Sequence, residues 1–321
     1  MRVIVTGSSG RLGRSVCAGL AASGHLVIGL DRASAGLDGI GGVGGVDGIG
    51  GVDGIGGIEE RAIDLLDAQA TERLVGDERP DAIVHLAGIA VPFSAPEREI
   101  LVTNTTLAHT VLSAAARAGV GRVLVASSPT VIGYGTRGWR ARSAPIDETH
   151  PVAPANAYAL SKVVIEETVR MFARTATGAY GVFRPCYVVS PEEWAGAPTQ
   201  QGHTMTERLA DPSLAAVSLF NYLDARDAAS FVDAWLAAAP SAIDGEGFFV
   251  GAADALATAP IADLWREYAP GLGEAADALT GSRPVFAIDK AAGLLGWRPE
   301  RSWRTELAAA SVAPHTESRT S

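Results

Sequence analysis

Short unbroken apolar runs alternate with longer stretches in which apolar residues recur at helical spacing through the first two-thirds of the chain. V-I-V (3–5), L-V-I-G-L (26–30), A-I-V-H-L (82–86), V-L-V-A (123–126) and Y-G-V-F (180–183) have no polar alternation, which predicts strands covered on both faces. Between them, residues 12–23, 96–119 and 156–177 read as helices. Strand–helix alternation of this kind predicts an α/β fold, a doubly wound parallel sheet with helices on both faces. Beyond about residue 185 the alternation becomes irregular and Pro, Gly and Trp are more frequent, so a smaller C-terminal substrate-binding part is expected there.

Residues 36–58 interrupt the pattern. The unit V-D-G-I-G-G occurs twice in tandem, at 46 and 52. So much glycine makes ordering costly in backbone entropy, and the segment reads as a flexible surface insertion with no function assigned.

The first strand runs into T-G-S-S-G-R-L-G, with Gly7, Gly10 and Gly13 spaced G-x-x-G-x-x-G, and then into a helix. Glycine permits the tight turn and a close backbone approach to a pyrophosphate, which unpaired N–H groups at the helix start then stabilise. A glycine triplet alone is weak evidence in a chain with 37 glycines, but the strand before it and the helix after it agree with a Rossmann-type dinucleotide site. Arg11 and Leu12 belong to the same turn and are counted with the glycines. Asp31 closes the second strand, where a carboxylate accepts from both ribose hydroxyls and repels a 2'-phosphate, favouring NAD over NADP. Arg32 tempers that choice: it is either a phosphate- or adenine-contacting guanidinium or a solvated loop arginine.

In N-A-Y-A-L-S-K (156–162), Tyr158 and Lys162 are four residues apart and share a helix face. A free tyrosine ionises near pH 10, and an adjacent ammonium lowers that value by favouring the phenolate, as an acid–base group would require. Taken alone, such a pair is an ordinary feature of a helix surface.

It stands in an ordered series: T-G-S-S-G-R-L-G, Asp31, Asp64-Leu65, H-L-A-G (85–88), Asn104, S-S-P-T-V (127–131), Y-A-L-S-K, Arg184-Pro185, Y-L-D-A-R-D (222–227) and L-G-W-R-P (295–299). From Val3 to about Pro299 the chain resembles the extended short-chain dehydrogenases/reductases, the NAD-dependent epimerase/dehydratase family. The resemblance implies Tyr158 as general acid/base, Ser128 as the hydroxyl that orients the reacting oxygen, and Lys162 as the group that lowers the tyrosine's pKa and binds the nicotinamide ribose. It further implies that Asp64 and Leu65 face the adenine, that Leu86, Ala87, Gly88 and Pro185 line the cofactor, and that Asn104 supports this wall. Pro129, Thr130 and Tyr187 fall with Ser128 on the substrate side. Ser128 could also simply cap a turn before Pro129, and Asn104 could be an internal helix hydrogen-bonder.

The implied division is a NAD-binding domain over 1–184 with a returning segment at about 215–240, and a substrate-binding part at about 185–214 and 241–313. Homodimerisation through the helices that carry Asn104 and Tyr158 is also implied by the resemblance.

Departures from the family pattern narrow the chemistry, because a fold does not fix a reaction. Pro129 and Thr130 occupy the places of the Asp-Glu pair of the 4,6-dehydratases. Tyr187 and Phe220 occupy the places of an asparagine and a diphosphate-gripping arginine of nucleotide-sugar epimerases, although Arg208 or Arg226 could substitute for the latter. Residues 83–135 also resemble uronate dehydrogenases. The leading expectation is therefore a NAD-dependent oxidoreductase acting on a small sugar-like molecule, with a 4-epimerase holding NAD tightly and a non-catalytic dinucleotide-binding protein as alternatives. Cys186 reads as a small buried residue or a neighbour of the nicotinamide; Trp194 reads as a cleft or a loop residue.

Composition removes other classes. A formal charge of -10 supplies no basic field for nucleic acid or an anionic membrane surface. No apolar run approaches the ~20 residues that span a bilayer, and the expectation is a soluble, cytoplasmic protein. Cys17 and Cys186 offer neither a disulfide framework nor metal spacing, and the six histidines form no paired ligand motif, so no metal site is expected. The polar tail from Pro314 to Ser321 reads as frayed.

Overall fold

The computed structural model describes residues 1–33 and 57–312. The glycine-rich repeat up to residue 56 and the tail from Pro314 lie outside the described residues. Ile58, read from sequence as the end of that repeat, instead opens a strand.

Seven strands form one parallel sheet: β1 (Arg2–Thr6), β2 (Leu26–Asp31), β3 (Ile58–Ala62), β4 (Ala82–His85), β5 (Arg122–Ala126), β6 (Ala179–Pro185) and, after a separate short pair β7 (Val188–Val189) and β8 (Leu223–Asp224), β9 (Gly247–Val250). The order across the sheet is β3-β2-β1-β4-β5-β6-β9, and every neighbouring pair is parallel. This is the doubly wound arrangement the apolar runs predict. Ile4 faces one apolar layer with Ile28, Leu30 and Ile83, whereas Val3 and Val5 face the other with Val27 and Val84, so both faces of the strand demand apolar side chains. The edge strand β3, I-E-E-R-A, is exposed or half-exposed throughout, and no apolar run announces it.

The helices are α1 (Arg11–Ala22), α2 (Ala68–Glu78), α3 (Glu97–Ala118), α4 (Ala157–Thr175), α5 (Pro191–Trp194), α6 (Met205–Ala210), α7 (Pro212–Ala216), α8 (Ala225–Ala237), α9 (Pro240–Ile243), α10 (Ile261–Tyr268), α11 (Asp289–Leu295) and α12 (Trp303–Val312). α2, α3 and α4 pack on one another, and α1 packs on α8. The α1–α8 approach is so close that a Cβ on Gly19 would lie 2.6 Å from that of Ala229. α4 begins where the Asn156 side chain accepts from Ala159 N (2.8 Å), and this cap places Tyr158 in the first turn and Lys162 in the second. α3 stops at Gly119, whose φ of 68° is the left-handed conformation that favours glycine.

The segment Y-L-D-A-R-D, one of the sequence landmarks, is a structural staple. Tyr222 donates to Asp254, Asp224 accepts from Trp194 Nε1 (2.8 Å) and from Arg226, and Asp227 accepts from Glu300 N (3.1 Å), Arg301 N (2.9 Å) and Arg301 Nη1 (2.8 Å). Trp297 of L-G-W-R-P donates to Ser230 (2.9 Å) and stands edge-on to Phe231. The C-terminal segment is thereby fastened to α8.

Asp227→Ala leaves three N–H groups without their acceptor, and Arg301 with only the more distant Asp224, 4.0 Å away, as counter-charge. A loss of about 3 kcal/mol is expected in urea unfolding monitored by tryptophan fluorescence. An unchanged midpoint and slope would show that the staple contributes nothing.

Candidate active site

The cleft opens where the parallel strands end, across the gap between β1 and β4 at which the strand order reverses. β1 delivers the chain to Gly7, whose φ is +72° and whose N–H donates to Leu30 O (2.8 Å). A Cβ on Gly7 would meet Ala87 N at 2.8 Å, and one on Gly13 would meet Gly7 O at 2.0 Å. Both glycines are thus required by backbone packing. α1 starts at Gly10 with no side-chain cap, leaving its first N–H groups for an incoming anion. Asp31 Oδ2 accepts from Ser9 N (3.1 Å) and Oδ1 from Arg32 N (2.7 Å), which fixes the carboxylate at the cleft edge with lone pairs to spare. The Gly7–Gly13 cradle, the uncapped helix start and Asp31 together fit a dinucleotide.

The cleft measures about 640 Å³. Every site residue expected from sequence lines it except Asn104, and Tyr158, Lys162 and Ser128 converge on the same space as the glycine turn. Asn104 lies behind the wall: its Oδ1 accepts from Ile89 N (2.7 Å), and its Nδ2 donates to Ile89 O (3.1 Å) and Ser161 Oγ (3.2 Å). Its contacts shape the loop after Gly88, so it supports the wall without lining it. Cys186 is buried and lines the cleft, and burial pushes its thiol pKa up. Trp194 is buried against Tyr222 and Asp224 and does not line it; Phe220 is fully buried.

At the centre of the cleft, Ser128 Oγ accepts from Thr130 N (3.2 Å) and from Thr130 Oγ1 (2.9 Å), so its own proton is free for another acceptor. Ser128 therefore both caps the turn Pro129–Ile132 and faces the cleft. Lys162 Nζ donates to Ala126 O (2.9 Å) and lies 5.7 Å from the centre of the Tyr158 ring. The expectation of a lowered tyrosine pKa is not met: burial raises Tyr158 above its ordinary value, and the hydrogen bond with Ser128 opposes that rise. The same desolvation draws Lys162 down to about 8, against the opposing charge of Glu166. His85, 2.7 Å from Thr6 Oγ1, is pushed down to about 3 by burial and then by Lys162, and is neutral at pH 7.

Tyr134, Gln201, Ser218 and Phe286 also line the cleft; sequence reasoning named none of them as site residues, although Gln201 and Phe286 fall in the ranges expected to bind substrate. They come from loops with no periodicity. The one signal at hand was Tyr134, in the stretch S-S-P-T-V-I-G-Y-G already singled out.

Under the floor, Glu166 accepts from Ser127 Oγ (2.6 Å), Arg184 Nε (2.8 Å) and Arg184 Nη2 (2.8 Å), while Arg184 also stacks on Phe249. These bonds hold Glu166 below the ordinary carboxylate range, against the opposing pull of its burial.

A family model described as NAD dependent epimerase/dehydratase family matches residues 3–251. A UDP-glucose 4-epimerase of Azospirillum brasilense is 32% identical over 171 residues, covering 53% of this chain and 44% of that protein. The chain spans about half the length of the curated relatives it matches. Among solved structures, a short-chain dehydrogenase/reductase superfamily protein from Agrobacterium tumefaciens with bound NAD superposes with a TM-score of 0.68 at 22% identity, over 97% of this chain and 96% of that one. A mutated uronate dehydrogenase superposes with a TM-score of 0.62 at 23% identity, over 96% and 86%. At these identities the structural likeness establishes the fold.

Glu166 provides a pH-dependent contribution to stability. Its folded pKa lies below the ordinary 4.5, so the contribution is present above that pH and is lost as pH falls through the folded value. Denaturant unfolding across this acid range is expected to show a slope that Glu166→Gln reduces, with the variant also less stable at pH 7 by about 3 kcal/mol. Equal acid sensitivity in both proteins would count against this assignment.

Proposed function

The chain belongs to the NAD dependent epimerase/dehydratase family, and on that premise we propose that its cleft binds NAD and serves hydride transfer at a hydroxyl- or carbonyl-bearing carbon of a small sugar-like molecule. The observation that carries the reading is the convergence of the Gly7–Gly13 cradle, Asp31, Ser128, Tyr158 and Lys162 on one cavity. When bound, NAD supplies the hydride acceptor. Gly7, Gly10 and Gly13 admit the pyrophosphate, Asp31 takes the adenosine ribose hydroxyls, and Asp64 and Leu65 border the adenine. Tyr158 exchanges the proton of the reacting oxygen, and Ser128 orients that oxygen with the proton its Thr130 contacts leave free. Lys162, held on Ala126 O, presents a positive charge that favours the phenolate whenever the proton leaves. Since burial raises Tyr158, the free protein keeps this proton at neutral pH, and the proton must leave before Tyr158 can take the one that oxidation of a hydroxyl releases.

The sequence likeness to UDP-glucose 4-epimerases supports a second reading, in which the same groups oxidise and re-reduce one carbon with no net change in cofactor. The two readings differ in what accumulates. Purified protein with NAD and a panel of free sugars, sugar acids and nucleotide sugars is expected to give a rise in NADH absorbance with at least one member. Tyr158→Phe is expected to lower that rate about 10²–10⁴-fold while NAD still binds. Isomer interconversion without NADH would select the epimerase, and a Tyr158→Phe protein of unaltered activity would remove the tyrosine from the chemistry.

The paired helices α3 and α4 carry exposed apolar side chains, Val102 on the first and Leu160, Val164 and Met171 on the second. Burial of this face against a second copy completes the reading. Sedimentation is expected to show a dimer, shifted to monomer by Val102→Lys with Val164→Glu; a monomeric parent protein would reject the assembly.

A further inference from the structure

We propose that Glu193 is a positioning residue for the dinucleotide: from behind the wall of the cleft it holds the Arg11 guanidinium, in the glycine turn, ready for the pyrophosphate. The proposal rests on the reading of the cleft as a NAD site and deepens it by adding a residue of α5, an element that follows β7 and lies outside the turn.

The start of α1 runs against the usual charge preference. Its first turn carries no acid; Arg11 takes the first position and Arg14 follows one turn on, at the helix end whose unpaired N–H groups favour negative charge. Cations there cost stability unless anions lie close, and the fold brings two from one short element. Arg14 Nη2 lies 3.8 Å from Glu192 Oε1, and Arg11 Nη1 lies 3.3 Å from Glu193 Oε1.

The two pairs are unlike. Arg14 and Glu192 are both open to solvent, where a pair is screened and contributes little. The Glu193 side chain is 3% exposed. Its Oε2 accepts from Ser190 N (2.7 Å), which fixes the carboxylate at the start of α5. Its Oε1 and Arg11 Nη1 are both buried, and neither has a hydrogen-bond partner among the described residues, so they meet as charges alone. A buried carboxylate in that state is costly, and the cations around it offset the cost. The other cation that feels Glu193 is Arg208, which is fully buried on α6 and does not line the cleft.

Arg11 lines the cleft and Glu193 does not. Arg11 therefore has an acid at its back and the pyrophosphate cradle in front, and 30% of its side chain remains exposed. A guanidinium drawn to a fixed carboxylate loses its rotamer freedom before the ligand arrives, so a phosphate oxygen meets a donor already in place. Because the contact with Glu193 uses charge and not a hydrogen bond, it directs Arg11 without consuming the donors a phosphate needs. Glu193 also follows Cys186, Tyr187 and Val188, which line the cleft, so the one ion pair joins the glycine turn to that wall.

The test reads binding and not turnover. NADH is titrated by its own fluorescence; ADP-ribose, which keeps the pyrophosphate, and adenosine, which lacks it, are measured by displacing NADH. The proteins compared are the parent, Glu193→Gln, Glu193→Asp, Arg11→Met and Glu193→Gln combined with Arg11→Met. Glu193→Gln keeps an oxygen for Ser190 N and removes the charge, and it is expected to weaken NADH and ADP-ribose about tenfold while adenosine binds as before. Glu193→Asp keeps the charge but withdraws it by one methylene, and is expected to fall between the parent and Glu193→Gln for the same two ligands. In the Arg11→Met background, Glu193→Gln is expected to add nothing, since the carboxylate acts through the arginine.

Unchanged or tighter NADH binding in a folded Glu193→Gln or Glu193→Asp protein, equal losses of ADP-ribose and adenosine, or a further loss when Glu193→Gln is added to Arg11→Met would overturn the proposal. A parent protein that does not bind NADH would overturn the reading of the cleft and this role with it, whereas a parent that binds NADH no better than its Glu193 variants strikes Glu193 alone.

Discussion

One buried carboxylate ties together the three elements that carry the candidate chemistry. Glu166 sits on α4 one turn beyond Lys162, and it binds Ser127, the neighbour of Ser128 at the end of β5, and Arg184, which precedes Pro185 at the end of β6. The interaction is costly to assemble, since two charges leave water, and the cost is offset because both oxygens of the carboxylate find buried donors. Its geometric return is that Ser128, Tyr158 and Lys162 are held by a shared anchor instead of by independent loops. Preorganisation of this kind lies in the floor of the cleft, and the candidate catalytic side chains inherit it.

The parallel sheet supplies the second constraint. Strands buried on both faces must be apolar throughout, and this is why β1, β2, β4, β5 and β6 could be read from unbroken runs such as V-I-V and V-L-V-A. The same physics hides β3 and β9. β3 borders the sheet on one side only and tolerates Glu59, Glu60 and Arg61, so it has no apolar signature. β9 is four residues, G-F-F-V, too short to separate from a buried loop. The helix α8 begins inside Y-L-D-A-R-D, whose acids serve as caps and staples, and a motif reading of those residues gave no hint of the helix.

Of the cleft lining, sequence pointed to the residues tied to a spacing: the glycines, Asp31, and Tyr158 four places before Lys162. It revealed less of the residues that reach the cleft through tertiary folding. Gln201 and Phe286 come from segments that carry no pattern, and their position follows from how the C-terminal part folds back over the strand ends. Direction of charge was also beyond spacing. An i, i+4 pair predicts that the ammonium lowers the tyrosine, but the outcome depends on how much water the fold removes from each group, and here burial moves Tyr158 up and Lys162 down.

That common cause gives the cleft two unlike ends. At the end that holds Asp31 and Arg32, both lie at an edge open to solvent, where a charge is screened and its value is geometric. At the Tyr158 end, Tyr158, Lys162, Ser128 and Cys186 are all buried, so any charge that develops is felt strongly by its neighbours. A proton leaving Tyr158 would create an anion on a ring whose centre lies 5.7 Å from an ammonium already drawn down to about 8 by desolvation, and their attraction would offset part of what burial costs each. Burial thus opposes either ion alone, and what else enters the dry end of the cleft sets which of them forms.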